Sequence, residues 1–147
     1  MSFHTSNIQI ASTVANSTFA AIHVGSYRLK LRTITVYSTA ATAGGIGWGI
    51  KGAGASTATT SQSFTPNDPR SAPITDVLAT AWSAGAPAVP VSWLGRVPIP
   101  NVNGAGNVFQ YTPGGNEVIL DPSSVFVFAN WTATAGGALS FTVEVEM

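Results

Sequence analysis

The chain has 147 residues and no cysteine, and its six Lys/Arg balance six Asp/Glu to give zero net charge. That length suits one domain burying about 70% of its unfolded surface; without cysteine, disulfides and thiolate metal sites are excluded. Charged residues make up only 8% of the chain, against about 25% in an average soluble domain. So few charges exclude the basic patch of a nucleic-acid binder and the cationic helix of a membrane-surface protein. No apolar run approaches the ~20 residues of a membrane helix, and Met1–Ile10 has neither the basic nor the apolar region of a secretory leader. Ser, Thr, Ala and Gly dominate instead. A surface so poor in charge is weakly protected from association and is expected to be covered by neighbours.

Ser2–Ala15 reads as a short strand or an extended arm, with Ile8 and Ile10 in a Ser/Thr-rich setting. As an arm it sets a boundary: residues 1–15 outside, residues 16–147 one domain. Thr18–Val24 alternates and reads as a strand, and Gly25-Ser26 as a turn. The clearest strand signal is Tyr27–Tyr37. Tyr27, Leu29 and Leu31 alternate with Arg28, Lys30 and Arg32. The parity then slips, because Ile34 and Val36 become the apolar positions, and a one-residue slip predicts a β-bulge.

In Gly44–Lys51, Ile46, Trp48 and Ile50 alternate with Gly47 and Gly49. This predicts a strand whose bare face is closely approached by another segment. Ala53–Ser63 reads as a polar loop, and the proline-rich Phe64–Pro73 is neither helix interior nor central strand. Thr75–Ser83 is the one helix candidate. Thr75 serves as N-cap, Gly85 as terminator, and Val77, Leu78, Ala81 and Trp82 share a face. Pro87–Pro100 is extended and proline-bounded, and Asn101–Asn107 is a loop. Val108–Tyr111, Glu117–Leu120 and Val125–Trp131 are strands; the apolar run of the last predicts burial on both faces. Leu139–Met147 alternates Leu139, Phe141, Val143, Val145 and Met147 with Ser140, Thr142, Glu144 and Glu146. About eight short strands with turn signals every ~8–12 residues predict an all-β, antiparallel, jelly-roll-like β-sandwich with one short helix.

Glu144 and Glu146 are expected to face Arg28, Lys30 and Arg32 across one sheet, each pair adding roughly 0.2–1 kcal/mol. The alternatives are two separately solvated faces, or a stripe that meets another subunit. The glycine cluster does not make a phosphate loop, because Lys51 precedes Gly52 rather than Ser or Thr. His4 and His23 have no serine elbow and no acidic cluster around them, so neither catalysis nor a metal is expected. Trp48, Trp93 and Tyr111 fit either a glycan-stacking platform or packing in core and interface. Asn16-Ser17-Thr18 and Asn130-Trp131-Thr132 match the glycosylation sequon by chance.

The C-terminal EVILDPSSVFVFANWTATAGGALSFTVEVEM resembles the ends of small structural proteins of tailed bacteriophages. In these, a strand and tight turn lead to an apolar strand, an Ala/Gly/Thr hairpin and a final strand with alternating glutamates. The resemblance spans about the last 30 residues and the composition. It implies a β-sandwich that trimerises and serves as a capsid decoration (cement) protein, located on the capsid surface. Its partners would be its own copies and the major capsid protein, with no cofactor and no catalytic residue. The alternative is a tail-fibre or spike domain that binds a host receptor or glycan.

Overall fold

Twelve strands account for most of the computed structural model, which describes residues 2–38, 42–51, 58–82, 86–99 and 107–147. The strands are β1 (Phe3–Ile10), β2 (Ser17–His23), β3 (Leu29–Ser38), β4 (Gly44–Lys51), β5 (Ala58–Ser63) and β6 (Thr65–Pro66). They continue with β7 (Val77–Trp82), β8 (Gly95–Ile99), β9 (Asn107–Tyr111), β10 (Val118–Leu120), β11 (Val125–Asn130) and β12 (Leu139–Glu146). No helix occurs among the described residues. The loop expected over 53–63 is strand β5 from Ala58 onward; positions 53–57 and most of the loop expected at 101–107 lie outside the described residues.

Two antiparallel sheets pack as a β-sandwich. The first runs β10-β3-β12-β1-β6, with β9 beside β10 on the same edge of β3; the second runs β5-β7-β2-β11-β4-β8. Between the sheets lies an apolar core. Leu29, Leu31, Ile34 and Val36 of β3 and Phe141, Val143 and Val145 of β12 meet Ile22, Phe126 and Phe128 of the second sheet. The aromatic rings lock this contact. Phe141 meets Phe128 edge-on at 4.4 Å and Phe19 edge-on at 6.3 Å between ring centres, the geometry that aromatic quadrupoles favour.

The parity slip in β3 is a bulge. Glu144 pairs with Thr33 and Val145 with Leu31, so Arg32 is the extra residue. On the other flank, β10 pairs with Leu29–Leu31 and β9 with Ile34–Ser38. That edge breaks at the same level, where the Thr112–Gly115 turn leaves the sheet. A second bulge in β2 makes Phe19 the extra residue, since Phe128 pairs with Ala20 and Ala129 with Thr18. Both Phe19 and Ala20 are thereby buried.

Two expectations are corrected. Residues 1–15 are not a detached arm: β1 pairs with β12 along its whole length and with β6 at its start. Its alternation is real, but His4 and Ser6 are inward-facing polar residues that hide the pattern. The segment read as a helix is β7, hydrogen-bonded to β2 and β5. Val77, Leu78, Ala81 and Trp82 fit helical spacing, but the segment is paired on both edges, Leu78, Ala79 and Thr80 are buried in a row, and Ala81 has φ 58°. Ser83 and Gly85 lie outside the described residues.

The glycine face of β4 is covered as its composition predicts. A Cβ on Gly47 would stand 2.5 Å from the Trp93 ring, one on Gly45 2.6 Å from Trp131, and one on Gly49 2.9 Å from Pro90. On the opposite face Ile46 and Trp48 enter the core. Strand β11, between β2 and β4, is buried at every position. Gly47→Val is expected to destabilise the fold by about 1–3 kcal/mol, the usual cost of overpacking. Gly114→Ala, which meets nothing within 4 Å, serves as the control, and chemical denaturation compares the two.

Candidate functional site

The outer face of the first sheet carries the charges expected there. Arg32 forms an ion pair with Glu146 across the bulge. Lys30 pairs with Glu117 at 3.0 Å and Arg28 with Asp121 at 2.9 Å, so these two cations turn to the β10 side rather than to β12. Glu144 accepts a hydrogen bond from the Asn67 amide at 3.0 Å. All five residues of the stripe therefore have partners within the chain. The pairs differ in environment. Glu146 is buried at 4%, with Arg32 also 6.0 Å above the Phe3 ring, whereas the other two pairs are exposed. Removing Arg32 strands a buried carboxylate, so Arg32→Ala is expected to cost about 3 kcal/mol. Lys30→Ala breaks a solvated pair and is expected to cost under about 1 kcal/mol. Thermal unfolding of the two variants at neutral pH checks the contrast.

The three aromatic candidates do not share a face. Trp48 is 1% exposed and stacks in the core on Phe109 and Tyr111, with ring centres at 5.8 and 4.7 Å. A surface platform that includes Trp48 is thereby corrected: bare glycine on one side of β4 obliges its large side chains to fill the other. Tyr111 is half-buried against Trp48, and Trp93 lies on the far side of the second sheet over Gly47. Asn130, the asparagine of one sequon, is buried. Its amide donates to Thr134 O at 2.7 Å and to Thr13 Oγ1 at 3.3 Å, and its carbonyl accepts from Thr132. This network ties the last hairpin to the β1–β2 connection.

Three features were not singled out from sequence. One is a buried polar pair. His4, on the inward side of β1, hydrogen-bonds Ser2 through Nε2 at 2.9 Å, and Asp76 accepts the Gly25 N–H. His4 Nδ1 and Asp76 Oδ2 are buried without a hydrogen-bond partner. Burial pushes the His4 ring below the usual histidine range, while the Asp76 charge pulls it back up. Burial likewise raises Asp76, opposed by the bond from Gly25. Only their long-range company reveals the pair, since the two residues are 72 positions apart.

The second is an open cavity of about 500 Å³ between the end of β1, the start of β2 and the β5–β7 pair. Ile10, Val14, Phe19, Thr60, Thr80 and Trp82 are among its walls, and no ionisable side chain lines it. The third is the segment Ala86–Leu94, which lies over the outer face of the second sheet. It is pinned by Leu94 N–H to Trp48 O at 2.9 Å, and by Pro90 and Trp93 seated on Gly49 and Gly47. Its tip, Val91, is 91% exposed. The prolines bounding this stretch signalled an extended segment in the sequence, but not its place in the fold.

Among the described residues, no three His, Asp or Glu side chains gather as a metal site, and no helix is long and apolar enough to cross a membrane. No family model, curated protein or solved structure matches the chain.

The buried pair carries a pH dependence. A raised Asp76 favours its protonated form, so its contribution to stability is present below the unfolded carboxyl value of 3.8 and is lost as pH rises through the folded one. Asp76→Asn keeps an acceptor for Gly25 and removes the charge. It is expected to stabilise the protein at pH 7, with the gain vanishing toward pH 3, as denaturant titrations across that range will read. His4 has the opposite sign: its lowered value costs stability as pH falls through 6.5, and His4→Gln is expected to flatten that acid limb.

Proposed function

We propose that the chain is a non-enzymatic structural protein of a virus particle, a capsid decoration (cement) protein that self-associates and stabilises the capsid surface through subunit contacts. The observation that carries this reading is the strand order. With the β5–β7 excursion set aside, the first sheet reads β1-β12-β3-β9/β10 and the second β2-β11-β4-β8. This order supports a jelly-roll reading of the sandwich, an architecture that recurs in viral capsid and lectin domains.

Fold alone does not carry function, and the surface adds a second support. The stripe charges are spent within the chain, and Arg70 pairs with Asp68 beside it. Among the described residues, what remains for partners is largely neutral: Thr, Ser, Asn and Gln on the first sheet and apolar side chains around Val91 on the second, where the exposed Arg96 stacked on the Trp131 ring is the exception. Contacts of that kind gain stability by burying surface, at about 25 cal/mol per Å² of apolar area. Attachment at several points would multiply weak contacts. The trimer implied by the sequence resemblance fits this economy.

The test is incubation of the purified protein with capsids of a tailed phage whose decoration protein has been removed. Under this reading the protein co-sediments at a fixed number of copies per capsid, the capsids gain heat resistance, and binding varies little with salt. Absence from every capsid fraction, together with saturable binding on a glycan array, would favour the receptor-binding domain of a fibre or spike instead.

A further inference from the structure

Arg96 stands apart from the other arginines. Arg28, Arg32 and Arg70 each meet a carboxylate. The remaining carboxylates are engaged elsewhere: Glu117 pairs with Lys30, Glu144 accepts from Asn67, and Asp76 is buried against the Gly25 N–H. The segments outside the described residues contain no Asp or Glu. Arg96 is exposed, and among the described residues its guanidinium has neither an ion pair nor a hydrogen bond. Its contact is the Trp131 ring, with the guanidinium carbon 5.3 Å from the ring centre.

The side chain is held in place before any ligand arrives. Strand β8 pairs with β4 so that Arg96 stands opposite Gly47. The Arg96 Cγ lies 3.1 Å from where a Cβ on Gly47 would be, and the Trp93 ring lies 2.5 Å from the same point. Trp131 covers Gly45 in the same way, and its indole N–H donates to Val97 O at 3.3 Å. Trp131, Arg96 and Trp93 thus lie together on the bare face of β4, with both rings half-buried. A guanidinium stacked on a ring keeps its N–H donors in its own plane, where one carboxylate can accept from two of them. Groups fixed in advance lose little conformational freedom on binding.

The ligand has to answer both features. A bare anion answers the guanidinium and leaves the indoles in water. A neutral sugar stacks its C–H face on an indole and leaves the guanidinium without an acceptor. A sugar acid does both from one ring. We infer that Trp93, Arg96 and Trp131 form a binding site for a pyranose that carries a carboxylate, with the carboxylate on the Arg96 guanidinium and the apolar ring face against indole. The inference goes beyond the structural role proposed above and depends on no capsid contact.

Methyl glucuronide, methyl glucoside and acetate are the probes, each titrated into the purified full chain. Saturation-transfer NMR and tryptophan fluorescence read binding. The glucuronide is expected to bind saturably in the millimolar range, with transfer to its ring protons. The glucoside and acetate are each expected to bind at least tenfold more weakly. Arg96 is exposed and has no polar partner, so Arg96→Gln is expected to keep the wild-type circular dichroism and unfolding temperature. It is expected to bind the glucuronide at least tenfold more weakly, through loss of the charged two-point hydrogen bond. Equal binding of glucuronide and glucoside would overturn the inference. So would a folded Arg96→Gln variant that binds as wild type does, or no saturation of the glucuronide up to about 50 mM. A blocked Ala-Glu-Ala peptide is run alongside. Binding tenfold tighter than the glucuronide would assign Arg96 to an acidic protein segment and overturn the sugar assignment. None of these results bears on capsid binding, so either reading can fail alone.

Discussion

The centre of the second sheet has to be dry on both sides, and much of the molecule follows from that requirement. Strand β11 offers Phe126 and Phe128 to the core and Val125, Val127 and Ala129 to the outside. A sheet between core and solvent would leave the second set wet, so something must roof it. The three alternate glycines of β4 make the roof possible, because any side chain there would collide with Trp93, Trp131 or Pro90. The glycines also force the apolar content of β4 to one side, which sends Trp48 into the core between Phe109 and Tyr111. Trp82 extends the cover over Ala21 and Val125. One sheet thus has an inner core and a thin outer one.

The first sheet solves a different problem. Its outer face is polar, so its register must be fixed by features other than burial on that side. The Arg32 bulge does this. It lets the inward set pass from Leu31 to Ile34 without exposing either, and it places the guanidinium beside Glu146. A slip of one residue would turn every inward side chain outward and would also part this pair. The ion pair therefore acts mainly on register, in keeping with the modest net worth of buried pairs.

Much of this was legible in the sequence. The bulge in β3, the glycine face of β4, the double burial of β11 and the adjacency of β3 and β12 each leave a local mark of parity, bare positions or opposite charge. What escaped was non-local. Strand β7 carries apolar residues at spacings that suit a helix as well as a strand, and Asp76, next to the expected N-cap Thr75, finds its partner in Gly25, 51 positions away. The polar His4 and Ser6 disguised β1, because inward polar groups are satisfied by distant neighbours such as Gln62 O. Trp48 and Trp93 are alike as residue types, and only the glycines between them decide that one is core and the other cover. The cavity and the Val91 tip depend on where loops lie, which composition does not encode.

Strand β12 lies between β1 and β3, in the middle of the first sheet, although it follows every other described strand in sequence. Its eight paired positions with β1 join residues more than a hundred positions apart. During synthesis, the first sheet cannot close until this segment has left the ribosome, and the inner faces of β1 and β3 wait unpaired. Such non-local pairing makes for a slow folder. The charge-free β1 edge of that waiting intermediate is open to association for as long as the interval lasts.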